Sequence, residues 1–577
     1  MAAEANGGER RVSSGWSERV AEHEDRLFLL LTILIGALVG LAVVAFIVLT
    51  ERVGLRISPP GGAAWRRVVA PVAGALLMGF LLSRYFPQAR GSGVPQTKAA
   101  LYAGGGYISL RTLLGKFFCT SATLASGIPL GREGPAVQVG AGIASVLGRH
   151  LGLSEAKVKA LIPVGSAAAI AAAFNTPLAA VLFSLEEVMG DLHAPVLGSV
   201  VLSSATSWIV LRLLLGNDPL FRVPEYQLVH PIEFGIYAVL GVAGGFVSVA
   251  FVKLLLGMRQ WFLRQPKRTE WLQPLAGGVL VGAMGWFVPQ ALGVGYKYVG
   301  DALQGSIALQ LMALLVVLKL FAVAVSYASG NAGGIFGPSL FLGAMLGGTV
   351  GSVAHQLFPA HTASPGAYAL VGMGALFAGI VRAPMTSVLM IFETTRDYTI
   401  IVPLMIANLT SFYISVRWQP RPIYEELAMQ DGIHLPSGET REQQRRLQVS
   451  LAIRPGVEAL PASMSAAAAL ERLRKEDCRS WPVVDARGVI GIVTAPMLER
   501  TCEENRANRT VGELLDGGPF PHVHSDQPLE LALARMGAAG VDVLPVVSRA
   551  DVRKLQGIVR LSEVLAAYGV QEPDVLA

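Results

Sequence analysis

Between residues 27 and 417 this 577-residue chain has so few ionisable side chains that the segment cannot fold as an ordinary water-soluble domain. Residues 27–50 form one apolar run of about the 20 residues needed to cross a bilayer. Similar stretches follow near 68–82, 196–215, 232–256, 277–288, 308–325, 370–380 and 400–416. Several are short, and many are interrupted by Gly and Pro. At membrane depth such breaks are tolerated only where the backbone is buried in protein or lines a cavity, and they point to an ion or substrate site. Composition agrees, with 52% hydrophobic and 15% charged residues, against about 25% charged in soluble domains.

The membrane region repeats itself. Gly131-Arg-Glu-Gly-Pro-Ala-Val-Gln-Val-Gly-Ala141 matches Gly334-Ile-Phe-Gly-Pro-Ser-Leu-Phe-Leu-Gly-Ala344, 203 positions on. Downstream, Pro177-Leu-Ala-Ala-Val-Leu-Phe-Ser-Leu-Glu186 matches Pro384-Met-Thr-Ser-Val-Leu-Met-Ile-Phe-Glu393, 207 positions on. Repeated halves, here about 27–216 and 232–416, characterise transporter folds with a site at the interface of the halves. The sequence leaves open whether the halves are inverted. They differ at two carboxylates, because Glu133 aligns with Phe336 and Glu187 with Thr394.

Three stretches share one design: Gly91-Ser92-Gly93-Val94-Pro95, Gly131-Arg132-Glu133-Gly134-Pro135 and Gly333-Gly334-Ile335-Phe336-Gly337-Pro338. In each, glycines allow close backbone approach and a proline suits the first turn of a helix. The unpaired N–H groups of helix N-termini suit an anion, and Ser92 adds a hydroxyl donor. A site made of partial charges holds an ion without trapping it. A carboxylate among such donors competes with the anion, and protonation removes the competition. Charge at this depth costs roughly 2.5–3.5 kcal/mol per residue on insertion scales, so Glu133 requires a reason. A structural pair with Arg132 is the plain alternative, although neighbours on a helix do not face each other.

These motifs resemble the CLC family of chloride channels and chloride/proton exchangers, over residues 27–424. The resemblance implies an all-α polytopic membrane fold of two repeated halves, with broken and re-entrant helices. It implies that Ser92, the backbone N–H groups of Ile335 and Phe336, and the phenol of Tyr424 bind chloride, and that Glu133 is the gate. It implies proton transfer by Glu187, which exchangers usually have and many channels replace. Gly91, Gly93, Pro95, Gly131, Arg132, Gly134, Pro135, Gly334, Gly337 and Pro338 would shape the backbone. Lys116, 17 residues before Glu133, would give electrostatic support. Serine at position 92 goes with a preference for chloride over nitrate. Glu186, matched by Glu393 across the repeat, reads as structural.

The remainder reads as a polar segment at 1–26, a linker at 417–448, and two related soluble units at 449–505 and 510–570. Each unit runs helix, strand, turn, strand, helix, around Trp481-Pro-Val-Val and Gly488-Val-Ile-Gly-Ile-Val, then around Leu544-Pro-Val-Val and Leu555-Gln-Gly-Ile-Val. They resemble a cytoplasmic α/β tandem of CBS domains. Such pairs often bind adenine nucleotides, but Ala495, Pro496 and Met497 follow Thr494 where an acid is wanted, and Arg560 stands where Thr belongs, with Glu563 as a possible acid. A dimerising scaffold is the alternative. Three cysteines without CxxC spacing indicate neither disulfides nor zinc. Net charge is +6, with no basic run interleaved with aromatics, so nucleic acid is not expected.

The expectation is therefore a homodimeric, multi-pass protein of the plasma (inner) membrane, with its N-terminus and CBS pair cytoplasmic. It would exchange chloride for protons, with no required cofactor, no metal site and no enzymatic activity. A passive chloride channel is the alternative. A nucleotide-sensing divalent-metal transporter would need clustered membrane carboxylates, where this sequence offers glycine-rich donors instead.

Overall fold

The computed structural model describes residues 12–59, 61–192, 196–216, 220–221, 223–224, 228–435, 447–454, 456, 459–476, 478–515 and 517–568, with side chains from residue 28 onward. Parts of the N-terminal segment (1–11), of the linker (436–446) and of the second soluble unit (569–570) lie outside the described residues. The chain forms two units, divided after Leu435.

The membrane unit is helical throughout. Its first half comprises α1 (Val12–Ile57), α2 (Arg66–Arg84), α3 (Val94–Tyr102), α4 (Leu110–Ala125), α5 (Glu133–His150), α6 (Glu155–Phe174), α7 (Pro177–Phe183) and α8 (Leu197–Leu215). The second half repeats this order as α9 (Glu233–Leu263), α10 (Gln273–Phe287), α11 (Tyr296–Leu303), α12 (Leu309–Ala328), α13 (Phe336–Leu357), α14 (Pro365–Val381), α15 (Pro384–Thr395) and α16 (Ile401–Trp418). Among the described residues, eight helices are long and apolar enough to cross a membrane. α3, α7, α11 and α15 have 9, 7, 8 and 12 residues, well short of the roughly 20 that span. These are the broken helices that the Gly and Pro interruptions foretell.

Equivalent contacts recur in both halves. α5 packs on α6 as α13 packs on α14, and α1 on α8 as α9 on α16. Across the halves, α2 meets α10 and α7 meets α15. The pairing is reciprocal down to single atoms. Gly131 N–H donates to Gly334 O at 2.6 Å, and Gly334 N–H donates back to Gly131 O at 2.7 Å. Glu186 accepts from the N–H groups of Met385 (3.3 Å) and Thr386 (2.8 Å). Its repeat mate Glu393 accepts from those of Leu178 (3.0 Å) and Ala179 (2.7 Å). When i meets j and j meets i, the two parts are related by a local two-fold axis.

Two boundaries differ from expectation. α1 begins at Val12, so helix crosses position 26 without a break. Residues 417–435 are no linker: Ile423–Gln430 forms α17, packed on α3 and α9 with Ile423, Tyr424, Leu427 and Ala428 buried. Polar and Pro-rich composition there reflects a short helix entered by a turn, not solvated chain.

The second unit has β1 (Leu460–Pro461), α18 (Ala466–Lys475), β2 (Ser480–Asp485), β3 (Gly488–Thr494), α19 (Ala495–Glu503), α20 (Leu529–Ala539), β4 (Val543–Val547), β5 (Leu555–Arg560) and α21 (Leu561–Ala567). β2 pairs antiparallel with β3, and β4 with β5. β1, which the sequence pattern missed, is only two residues long and runs parallel to β2.

Candidate anion site between the two halves

The three glycine-rich stretches meet. Gly93 has φ +98°, and a Cβ there would lie 2.4 Å from the Gly134 carbonyl oxygen. A Cβ on Gly134 would in turn lie 2.5 Å from the Ser92 carbonyl. Only glycine permits this approach. The Gly131–Gly334 pair ties in the third stretch. Each stretch ends where a helix begins: α3 at Val94, α5 at Glu133 and α13 at Phe336. The first N–H groups of a helix lack intrahelical acceptors and carry its positive end.

Glu133 occupies this donor cluster. It is fully buried, and its Oε2 accepts from Gly337 N–H at 3.2 Å. Its Oε1 accepts from the hydroxyl of Tyr296, the first residue of α11. Arg132 is not its partner. That guanidinium pairs with Glu51 at 3.1 Å and lies 5.5 Å from the centre of the Tyr296 ring. Ile335 and Phe336 are buried at the start of α13, where Phe336 packs on Phe174, Phe183 and Phe377 at 4.7, 5.5 and 4.4 Å.

Ser92 and Tyr424 are both fully buried, and neither hydroxyl makes a well-formed hydrogen bond among the described residues; the Tyr327 side chain lies beside Ser92. Buried polar groups are normally satisfied, so each exception calls for an ion or water. Two buried hydroxyl donors without a well-formed protein hydrogen bond fit an anion as cargo. A cavity of about 590 Å³ opens beside Gly91, lined by Arg90, Gln96, Gln138 and Arg259 among others. It offers a polar approach to the Ser92 stretch.

Lys116 is buried without a carboxylate. Its Nζ donates to the carbonyls of Ala89 (2.8 Å), Arg90 (3.3 Å) and Gly91 (2.8 Å), fixing the chain just before Ser92. Its repeat mate Lys319, 203 positions on, donates likewise to Ala291 (3.2 Å) and Gly293 (2.5 Å), just before Tyr296. The sequence reading missed Lys319, although the same offset that aligns Gly131 with Gly334 marks it. It also missed Tyr296 and Lys98, which no motif singles out.

Glu187 stands apart from Glu133. α7 continues into a π-helical turn at Ser184–Met189, where α15 stays regular. Within it Glu186 faces α15 and Glu187 is buried, accepting from Lys98 Nζ of α3 at 2.7 Å. The packing chain from Gly337 through Phe336 and Phe183 toward Glu187 is apolar.

In the second unit, Met497 and Glu563 stand where the sequence pattern looks for a ribose-holding acid. Met497 lines a cavity of about 400 Å³ with Ile490, Gly491, Ile492, Thr494 and Phe520 among the described residues. Glu563 accepts from Arg560 N–H at 3.2 Å and pairs with Arg454.

Residues 74–416 match the family described as voltage gated chloride channel, and residues 449–496 and 511–569 match the CBS domain. The H(+)/Cl(-) exchange transporter ClcA of Vibrio campbellii is 32% identical over 354 residues, 60% of this chain and 76% of that protein. A ClcB-like chloride channel protein of Ralstonia nicotianae is 36% identical over 352 residues, 60% of this chain and 82% of that one. A solved slow cyanobacterial Cl-/H+ antiporter superposes with a TM-score of 0.65 at 26% identity, covering 70% of this chain and 97% of its own. A eukaryotic CLC transporter shares the fold over 93% of this chain and 97% of its own, with a TM-score of 0.61 at 23% identity. The chain therefore belongs to the voltage gated chloride channel family, as an integral membrane protein whose membrane unit is followed by a pair of CBS domains.

Proposed function

We propose that this protein exchanges chloride for protons, as a homodimer with one pathway in each subunit, in a plasma membrane with its CBS pair on the cytoplasmic side. The carrying observation is the Glu133 carboxylate bonded to Gly337 N–H at the start of α13, beside two buried hydroxyls without a well-formed protein hydrogen bond. An ionised carboxylate there takes the place of an anion. Protonation removes its charge and frees the donors for chloride. Ser92 and Tyr424 then hold the ion by O–H donation, and Ile335 and Phe336 hold it by backbone N–H. Lys116 sets the Ser92 backbone and adds positive potential.

Glu187 is the proton group on the other side of the aromatic cluster, with Lys98 holding it in place. The relatives support exchange, since one is named an H(+)/Cl(-) exchange transporter and a neighbour is titled a Cl-/H+ antiporter. The ion pair with Lys98 is the observation that favours the second reading, a passive chloride channel in which Glu187 is structural.

Liposomes decide between them. Under an imposed chloride gradient the wild type should drive protons the opposite way. Glu187→Ala should keep chloride flux and stop proton movement, and Glu133→Ala should remove both proton movement and pH dependence. Chloride flux unaccompanied by protons in the wild type establishes the channel instead. ATP should leave the flux unchanged, in keeping with a Glu563 already engaged by Arg560 and Arg454.

A further inference from the structure

The two halves exchange one residue each where their symmetry fails. The first supplies Glu133 where the second has Phe336. The second supplies Tyr296 at the start of α11, where the first has Val94 at the start of α3. The loops before these two helices match as Pro87-Gln-Ala-Arg-Gly-Ser-Gly93 and Pro289-Gln-Ala-Leu-Gly-Val-Gly295. The two departures meet, because the Tyr296 hydroxyl donates to Glu133 Oε1. We propose that Tyr296 is a positioning residue, a latch that holds the ionised Glu133 carboxylate among the donors of the anion site and so sets the pH at which the gate releases. This rests on the reading of Glu133 as a protonatable gate.

Tyr296 is placed for that task from several sides. Lys319 pins the carbonyls of Ala291 and Gly293 ahead of it. Phe221 packs edge-on to its ring at 5.6 Å. Arg132 lies over the ring and is itself held by Glu51. The charged and titratable groups around Tyr296 and Glu133 are thus Arg132 just ahead of α5, Glu51 from α1, Lys319 from α12 on the Gly293 side of Tyr296, and Tyr424 from α17, and among the described residues only Tyr296 bonds the carboxylate through a side chain. A hydroxyl donor stabilises the charged form over the neutral one, so the latch opposes protonation.

Tyr296→Phe deletes the donor and keeps the ring. In liposomes the pH of half-maximal chloride flux should rise by about one unit, the size of a hydrogen bond to a charged group. In a Glu133→Gln background the same substitution should move the profile no further. Calorimetry at neutral pH should show the Tyr296→Phe protein binding chloride severalfold more tightly than wild type, since the competing carboxylate is held less firmly. A role confined to packing would slow flux at every pH, leave the midpoint in place and weaken chloride binding, and that outcome overturns the latch. If Glu133→Gln keeps the wild-type pH profile, the gate reading falls and takes the latch with it. If Glu133→Gln abolishes the profile and Tyr296→Phe leaves it unmoved, the latch alone falls.

Discussion

Lys116 and Lys319 are two buried lysines whose Nζ atoms donate to backbone carbonyl oxygens. Desolvating a charge without a counter-charge is costly, carbonyl dipoles offset part of that cost, and a lysine held there in its charged form puts a positive field inside the membrane unit. At an effective dielectric of about 20, a unit charge roughly 10 Å away acts with roughly 1.7 kcal/mol. Lys116→Met should therefore weaken chloride binding by about tenfold, measured by titration calorimetry, whereas Lys116→Arg keeps the charge and most of the affinity. Lys116 was legible because it stands at a fixed distance from Glu133 in a recognisable motif. Glu133 was legible because charge in apolar sequence asks for a reason. Tyr296 was not, since an aromatic after Gly-Val-Gly reads as ordinary packing until its hydroxyl is seen to meet a residue 163 positions away. Arg132 shows the converse: sequence adjacency to Glu133 suggested a pair, and its real partner is Glu51 on α1.

The short helices α7 and α15 hold each other by exchanged carboxylates. Glu186 receives two N–H groups and the Thr386 hydroxyl (2.7 Å) at the start of α15, and Glu393 receives two N–H groups at the start of α7. These are helix N-termini begun by Pro177 and Pro384, where an acid both satisfies orphan donors and meets the positive end of the helix. Caps of this kind are worth about 0.5–2 kcal/mol each. Glu393→Ala and Glu186→Ala should each lower the thermal midpoint of the detergent-solubilised protein, while Glu393→Gln, which keeps an acceptor oxygen, should cost less. Neither should uncouple protons from chloride, which separates Glu186 from its neighbour Glu187. The repeat in the sequence announced both glutamates and both prolines. It could not announce that each glutamate serves the other half's helix, because reciprocity is a property of the two-fold axis and not of either copy. The π-helical turn at Ser184–Met189 was equally hidden, because its residues resemble those of α15; within it the consecutive glutamates face different partners, as neighbours on a helix do.

At the scale of the whole molecule, composition changes near position 417, whereas the chain's two compact units divide after Leu435. Tyr424 lies buried in α17 within the membrane unit, where the polarity of its surroundings in sequence suggested a linker. Within the soluble unit the two CBS domains are joined by residues that depart from the nucleotide-binding pattern. Arg560 stacks on Trp481 at 4.9 Å and donates to Glu476 Oε2 at 2.7 Å. Asp542 accepts from Arg479 N–H at 2.7 Å and from the Ser480 hydroxyl at 2.6 Å. The Arg560 hydrogen bond holds the Glu476 carboxyl below its ordinary 4.5. A group whose folded value is depressed stabilises the fold above its unfolded value, and that contribution fades as pH falls through the folded one. The joint between the two domains is therefore intact at neutral pH and weakens below about pH 4.5. In the full-length protein, the unfolding transition of the soluble unit should lose stability more steeply in acid for wild type than for Glu476→Gln, which has no carboxylate to protonate. Because Glu476 is partly solvated, the difference should be modest. Arg560→Thr, which restores the residue the CBS pattern expects, should flatten the same acid slope; an unchanged slope would mean that the Arg560–Glu476 pair is not the acid-sensitive part of the joint.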